Sequence, residues 1–300
     1  MSPWTAAVAH ELLCLRRERL PHLLLAVFVA MTAAAAFIGS SARGTVSAVY
    51  REAVAQQLTA AANPFDALPP LYYARNTVVY IVLIGALLAI VVGARSTLRD
   101  RQARTADLIL ARPGSPAGYL GAKLAGTALA MLGLMAASAL ISIACVSAVA
   151  GHLLGLGDCA RLAALHGLGW LFLLPFTALG MLSGTYSRTA ATALLLPIVL
   201  WSVVVFVLPL LGTAAHPVSL LNPVAPPPAD RTGLFALTAA LTAPLSLGEQ
   251  FKQAASALLG GPQAAADPAG GLLTLTTAAA LGCAAVVATR RSRTRSALHD

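Results

Sequence analysis

The sequence predicts an all-α polytopic membrane protein with six transmembrane helices. Of its 300 residues, 58% are hydrophobic and only 10% are charged, whereas about a quarter of the residues in globular proteins are charged. The charged residues are clustered, and the stretches between clusters reach the roughly 18 residues that a bilayer-spanning helix needs. This pattern excludes a soluble protein. The six predicted spans are His22–Gly39, Thr77–Ala94, Leu124–Ala150, Leu162–Ser183, Ala190–Leu211 and Gly271–Thr289.

Residues 1–21 precede the first span and predict an amphipathic helix at the membrane interface. Helical spacing places Val8, Leu12 and Leu15 on a different face from the basic Arg16. A helix of this kind lies in the interface, with its apolar face toward hydrocarbon and its basic residues near the lipid headgroups.

The distribution of basic residues predicts how the chain is oriented across the membrane. Six spans place both termini on one side, and that side carries 14 Lys and Arg residues against six on the other. Because basic loops stay inside, we expect the termini to be cytoplasmic. Five or seven spans would place the two Arg-rich termini on opposite sides of the membrane. A seventh span would also require the short, proline-containing stretch Leu234–Leu247 to cross the membrane. The net charge of +9 is therefore a topology signal, and no nucleic-acid partner is expected.

The spans divide the chain into five parts. These are a cytoplasmic amphipathic arm (1–21), spans one to five (22–211), an external Pro-rich cap (212–270), span six (271–289) and a basic cytoplasmic tail (290–300). Within 22–211 lie an external loop at 40–76 and a cytoplasmic segment at 95–123. A helical pattern from Leu234 to Leu259, closed by Gly260-Gly261, is expected inside the cap.

Motifs for catalysis and for nucleotide binding are incomplete. The stretch from His10 to Cys14 misses the HExxH zinc pattern at its last residue. The glycine-containing stretch that ends at Lys123 is followed by Leu124, where a phosphate-binding loop needs a hydroxyl for magnesium. We therefore expect no catalytic residue, cofactor site or metal site on this chain.

Ionisable side chains within the spans are nearly absent. Ion-coupled carriers keep such groups at membrane depth despite a cost of roughly 2.5–3.5 kcal/mol or more each. Only His166 qualifies, and a lone histidine is more typical of a hydrogen-bonded packing residue. Energy for transport is therefore expected from another chain. An ATP-independent carrier and a multi-pass assembly scaffold are the alternatives, and co-purification with a soluble ATPase would distinguish an ATP-driven transporter from both.

Small residues recur at a spacing of four. They are Gly118, Ala122, Gly126 and Ala130, and again Gly180 and Gly184. This spacing allows two helices to approach closely, although an Ala- and Gly-rich chain also produces it without such a role.

The segment 95–123 is longer than a connection between two spans requires. Its apolar residues and the break at Pro113-Gly114 predict a charged helix, a turn and a second helix that enters the membrane at Tyr119 to Lys123. A plain basic loop would need only a few residues. The segment is therefore expected to have a function beyond connecting the spans.

This segment strongly resembles the cytoplasmic coupling region of type-two ABC transporter permeases. The family pattern has an acidic-basic stretch, Gly-Thr, a Leu-rich helical turn, Pro, Ser-Arg, Tyr and Lys. The matching residues are Asp100, Arg101, Thr105, Leu108, Leu110, Pro113, Ser115, Tyr119 and Lys123. Arg104 replaces the usual Gly, and Pro116 the usual Arg. The arm with its internal Glu11 and the hairpin of Tyr186 and Arg188 also resemble the family. The finer resemblance is to the permease type that serves nitrous-oxide reductase maturation.

The resemblance implies a permease subunit of an ATP-driven exporter or extruder in a bacterial plasma membrane. A separate ABC-type ATPase would bind ATP and Mg²⁺ and dock on the segment 95–123. The docking residues that it implies are Arg99, Arg101, Arg104, Thr105, Leu108, Ile109, Pro113, Tyr119 and Lys123, with Tyr186 and Arg188 in a second cytoplasmic hairpin. Two permease chains, identical or different, would form a dimer in the lipid bilayer. The 212–270 cap is the expected contact for an external accessory protein.

Overall fold

The uncharged stretches of the chain fold into long helices. The structure, a computed structural model, describes residues 2–58, 71, 74–102, 116–208, 233–242, 245–260 and 268–289. The helices are α1 (Pro3–Arg17), α2 (Arg19–Ala55), α3 (Arg75–Tyr80), α4 (Ala86–Gln102), α5 (Pro116–Ala150), α6 (Leu156–Tyr186), α7 (Ala190–Ser202), α8 (Gly233–Thr242), α9 (Leu247–Leu259) and α10 (Pro268–Val287). The π-helical segment Ile81–Gly85 joins α3 to α4, and Val203–Val207 extends α7. Within these residues there is no strand, so the all-α prediction is confirmed.

Five stretches of helix are long and apolar enough to cross a membrane. They are Arg75–Asp100, Ala117–Ala150, Leu156–Tyr186, Ala190–Val207 and Ala269–Val287, and they correspond to predicted spans two to six. The first predicted span, His22–Gly39, lies within α2, where the apolar stretch among the described residues is Leu25–Ala35. The polytopic membrane fold is confirmed, and the first crossing stays a prediction.

Helix α2 continues beyond the end of the first predicted span. It runs for 37 residues without a break at Gly39, so residues 40–55 of the predicted external loop are helical. The prediction ended the span where the polar Ser40 and Arg43 interrupt the apolar run. Helix formation depends on backbone hydrogen bonds rather than hydropathy, and no proline follows before Pro64 to stop it.

Helices α4 and α6 cross at glycines. A Cβ atom added to Gly93 would lie 2.2 Å from the carbonyl oxygen of Thr177, and one added to Gly180 would lie 2.3 Å from that of Ile90. A Cβ atom at Gly184 would also meet the α4 backbone, at 2.9 Å. The prediction that Gly180 and Gly184 allow close helix approach is confirmed. Their partner on α4, Gly93, was not predicted.

Replacing Gly180 by alanine is expected to destabilise the bundle by roughly 1–3 kcal/mol, because the added methyl group overpacks the crossing. Gly133→Ala on α5 is the matched control, since a Cβ atom there meets nothing within 4 Å. The control should keep or slightly raise stability, because alanine favours helix over glycine. Thermal unfolding of the purified proteins measures the difference. Equal unfolding temperatures for the two variants would contradict the proposed tightness of this crossing.

Part of the predicted external cap packs into the bundle. Helix α9 contacts α6 and α10, and the ring of Phe251 is fully buried and stacks on Phe172 at a centroid distance of 4.8 Å. Phe172 lies midway along the predicted span Leu162–Ser183, so α9 reaches toward the membrane interior. Gly260 ends α9 with a φ of 69°, as the predicted glycine stop requires. The expected helical stretch Leu234–Leu259 is divided in the structure between α8 and α9, and the position of α9 within the bundle was not predicted.

Candidate functional site

Helix α1 lies along α5 with one face buried. Val8, Glu11 and Leu15 are buried on α1, and their spacing of three and four residues places them on the same face. A Cβ atom added to Gly126 of α5 would lie 2.8 Å from the Cβ atom of Glu11. The missing side chain of Gly126 therefore lets α1 approach α5 at the level of Glu11.

Glu11 is the centre of a buried ion-pair network. Its side chain is 1% exposed and accepts hydrogen bonds from Arg99 Nη2 at 2.5 Å and from Lys123 Nζ at 3.1 Å. Lys123 is itself 5% exposed, lies 2.9 Å from an Asp100 carboxylate oxygen and donates to the Ser96 carbonyl oxygen at 2.6 Å. Buried charges are tolerated when they are paired and hydrogen-bonded in this way.

A second carboxylate extends this network to the junction of α1 and α2. Glu18 accepts hydrogen bonds from Arg95 Nε at 2.7 Å and from Arg99 Nη1 at 2.8 Å. The Tyr119 hydroxyl donates to the carboxylate of Asp100. We call Glu11, Glu18, Arg95, Arg99, Asp100, Tyr119 and Lys123 the Glu11 network. It contains three carboxylates and three basic groups, so their formal charges balance.

The Glu11 network holds both ends of the segment that was predicted to be cytoplasmic. Helix α4 ends at Gln102 and α5 begins at Pro116, and residues 103–115 connect them. Arg99 and Asp100 lie just before this connection, and Tyr119 and Lys123 lie just after it. All four side chains belong to the network, so α1 is tied to both ends of the connection at once.

Three of the predicted docking residues lie in this network. Arg99, Tyr119 and Lys123 make intramolecular contacts, and Lys123 is buried, so any part it takes in docking acts through its ion pairs. Arg101 lies on α4, but its side chain is outside the described part of the chain. Arg104, Thr105, Leu108, Ile109 and Pro113 are outside the described residues altogether. Direct ATPase contact by any of the nine stays a prediction.

The second predicted hairpin lies at the same end of the bundle. Tyr186, 54% exposed, ends α6, and the exposed Arg188 follows it. At the base of this hairpin, the hydroxyl of Thr97 on α4 donates to the carbonyl oxygen of Met181 at 3.4 Å. The hairpin therefore lies beside the end of α4, from which the segment 103–115 departs.

The pairing of Glu11 and Glu18 with basic residues was not predicted. Their partners are 77 to 112 residues away in the sequence, and no spacing rule connects residues so far apart. The available signal was the scarcity of acidic residues, since the chain has only 11 Asp and Glu. A carboxylate that lies beside an apolar span in such a chain needs a basic partner.

His166 was expected to be a hydrogen-bonded packing residue. It is 1% exposed, its Nδ1 lies 2.8 Å from the carbonyl oxygen of Leu162, and its Nε2 lies 3.3 Å from the hydroxyl of Ser142. Both ring nitrogens are therefore within hydrogen-bond distance of a partner inside the bundle, which agrees with the packing role.

Comparison with known families agrees with this architecture. The family described as ABC-2 family transporter protein matches residues 5–289, a range that includes nearly all of α1, all six predicted spans, the segment 95–123 and the hairpin of Tyr186 and Arg188. No curated protein matches the chain significantly. Proteins of this family are the membrane-spanning permease components of ABC transporters, which work with an ABC ATPase and are generally non-catalytic. The chain therefore belongs to the ABC-2 family of transporter proteins.

Proposed function

We propose that a separate ABC-type ATPase docks on the coupling segment, residues 95–123, and drives this permease by hydrolysing ATP. The observation that carries the proposal is the Glu11 network, which ties both ends of the connection 103–115 to α1. A connection that only reversed the chain direction would not need one buried, charge-balanced network to join its two ends. ATP and Mg²⁺ bind to the ATPase, and this chain contributes no catalytic group.

The docking contact itself is proposed at Leu108 and Ile109. Apolar side chains at the centre of an interface carry most of the affinity, whereas charges at its rim mainly steer the encounter. Leu108 and Ile109 therefore enter an apolar groove on the ATPase, and Arg101 and Arg104 meet acidic residues at its rim. Charge reversal at Arg101 alone weakens association only modestly and in a salt-dependent way.

The network supports a route from the coupling segment to the spans. Its ion pairs join α1, α4 and α5, so these three helices respond together when the segment is displaced. Helix α4 is in turn packed against α6 through Gly93 and Gly180. Closely packed helices exchange between discrete arrangements rather than deforming continuously. ATP-driven displacement of the segment thereby favours one packing of the bundle over another.

The wider assignment follows from the same proposal. The permease exports or extracts its substrate, and acts as a homodimer or paired with a second permease. It lies in the bacterial plasma membrane with both termini cytoplasmic, as the excess of basic residues on that side favours. An external accessory protein binds those parts of the stretch 212–270 that lie outside the bundle.

Cysteine labelling tests this orientation. Cys14 on α1 and Cys159 at the start of α6 are both partly exposed, and the proposal places them on opposite sides of the membrane. A membrane-impermeant thiol reagent is expected to label Cys159 in cells with a permeable outer envelope, and Cys14 only after the membrane is opened. Cys14→Ser and Cys159→Ser variants identify each signal. Labelling of Cys14 in intact cells would reverse the orientation.

Recovery of the protein from its own membrane tests the function. Mild detergent extraction is expected to yield the permease together with an ATPase that carries a Walker-type phosphate-binding loop, in equal amounts. ATP hydrolysis by the recovered material should require both chains for its full rate. A permease that is recovered alone and moves solute without ATP would be a secondary carrier. Recovery with unrelated membrane proteins but no ATPase would favour the assembly scaffold.

A further inference from the structure

A cavity of about 220 Å³ opens between α1, α2, α4 and α5, beside the Glu11 network. Its walls are largely apolar, and each of the four helices contributes to them. The lining includes Leu15, Leu25, Val92 and Met131, and the polar side chains in it are Arg16 and His22. The cavity therefore combines an apolar interior with a basic rim.

Relative to the predicted spans, the cavity extends from the level of the membrane surface into the hydrocarbon region. Val92 lies two residues before the end of the predicted span Thr77–Ala94, on the Arg-rich side of the protein. On α5, the lining reaches Leu134, which lies about 16 Å along the helix from Lys123 at 1.5 Å per residue. A ligand here would have its head at the level of the lipid headgroups and its body at the depth of the acyl chains.

The rim carries a positive charge that has no close ion pair with any residue in the described part of the chain. Arg16 is exposed, and among the residues that the structure describes no carboxylate lies within ion-pair distance of it. The nearby Glu18 is already bound to Arg95 and Arg99. His22 lines the same cavity as Arg16, and its Nδ1 lies 2.6 Å from the carbonyl oxygen of Glu18.

We propose that this cavity binds an anionic phospholipid, with its phosphate beside Arg16 and one acyl chain between α2 and α5. Basic pockets between transmembrane helices at the membrane surface favour anionic lipid headgroups, and the apolar walls match the hydrocarbon chain. On α1 the lipid contacts Leu12, Leu15 and Arg16, so it stabilises α1 in its docked position. This inference requires the membrane fold but not the docking of an ATPase.

Native mass spectrometry of the purified full-length chain tests the proposal. Phosphatidylglycerol and phosphatidylcholine with identical acyl chains are the probes. The wild type is expected to retain phosphatidylglycerol in preference to phosphatidylcholine, and Arg16→Gln should reduce that preference roughly fivefold. Arg17→Gln is the matched control, because Arg17 is exposed on the same helical turn but does not line the cavity. Ala130→Phe should narrow the cavity and reduce retention of both lipids.

Two of the comparisons in this experiment use only the wild-type protein, so the test does not depend on whether the variants fold. Equal retention of the two lipids by the wild type would overturn the proposal. Displacement of phosphatidylglycerol by millimolar glycerol phosphate would identify a soluble phosphate ligand instead and would also overturn it. Among folded variants, unchanged preference in Arg16→Gln, or equal loss in Arg17→Gln, would show that Arg16 does not hold the headgroup.

Discussion

The Glu11→Gln variant is expected to lose about 3–5 kcal/mol of folding free energy, the typical effect of removing one partner from a buried ion pair. Glutamine has nearly the same shape as glutamate, but it leaves Arg99 and Lys123 facing a neutral amide in a buried site. Lys123 is 5% exposed, so water cannot replace the lost charge. Glu18 and Asp100 still face the two cations, which places the loss toward the lower end of the range.

Thermal unfolding of the purified protein measures this effect. Glu52→Gln is the matched control, because Glu52 is an exposed carboxylate on α2 and surface substitutions usually change stability by no more than about 0.5 kcal/mol. Lys123→Met completes a double-mutant cycle with Glu11→Gln. The double variant should lose less than the sum of the single losses, since the two side chains contact each other. Equal unfolding temperatures for Glu11→Gln and the wild type would show that Glu11 does not hold the network together.

Replacing both Leu108 and Ile109 by aspartate is expected to abolish stable association with the ATPase. Apolar residues at the centre of an interface contribute about 2 kcal/mol or more each when they are hot spots, so losing both weakens binding roughly a thousandfold. The two carboxylates would also be buried without partners in the proposed groove, which adds to the loss. Co-purification yield at equal expression and equal membrane insertion is the measurement.

Two controls separate apolar contact from other effects of this change. The variant with Leu108→Met and Ile109→Val keeps apolar side chains and is expected to bind like the wild type. Gln102→Asp adds a negative charge at an exposed position on α4 and should weaken association only slightly. If the double aspartate variant co-purifies with the ATPase as fully as these controls, Leu108 and Ile109 are not the anchors.

The all-helical fold could be predicted because its signal is local. A run of apolar residues without charge, such as Leu162–Ser183, identifies a span by length and composition alone. The ends of the helices were harder to predict, because the hydropathy pattern shows only where the apolar run stops. Helix α2, for example, continues past Gly39. The burial of α9 was missed for a related reason. Its Phe251 packs on Phe172, a contact that the proline-rich composition around α9 does not indicate.

The Glu11 network was not predicted, although three of its members had been singled out from the sequence as docking residues. The resemblance of the segment 95–123 to the family indicated Arg99, Tyr119 and Lys123, and these residues do come together. Their carboxylate partners are on α1 and at its junction with α2, and the sequence contains no local pattern that joins Lys123 to Glu11. The role of Gly126 could not be recognised from the sequence, because the need for a residue without a side chain there depends on where α1 lies.

The rate of ATP hydrolysis tests the coupling role of the segment most directly. The ATPase is reconstituted in liposomes alone, with the wild-type permease, and with the permease that carries aspartate at positions 108 and 109. We expect the wild type to stimulate hydrolysis, and the double aspartate variant to leave it at the rate of the ATPase alone. The variant with methionine and valine at these positions should stimulate like the wild type. Full stimulation by the double aspartate variant would contradict the proposal, and the segment 95–123 would then be a basic loop that sets topology.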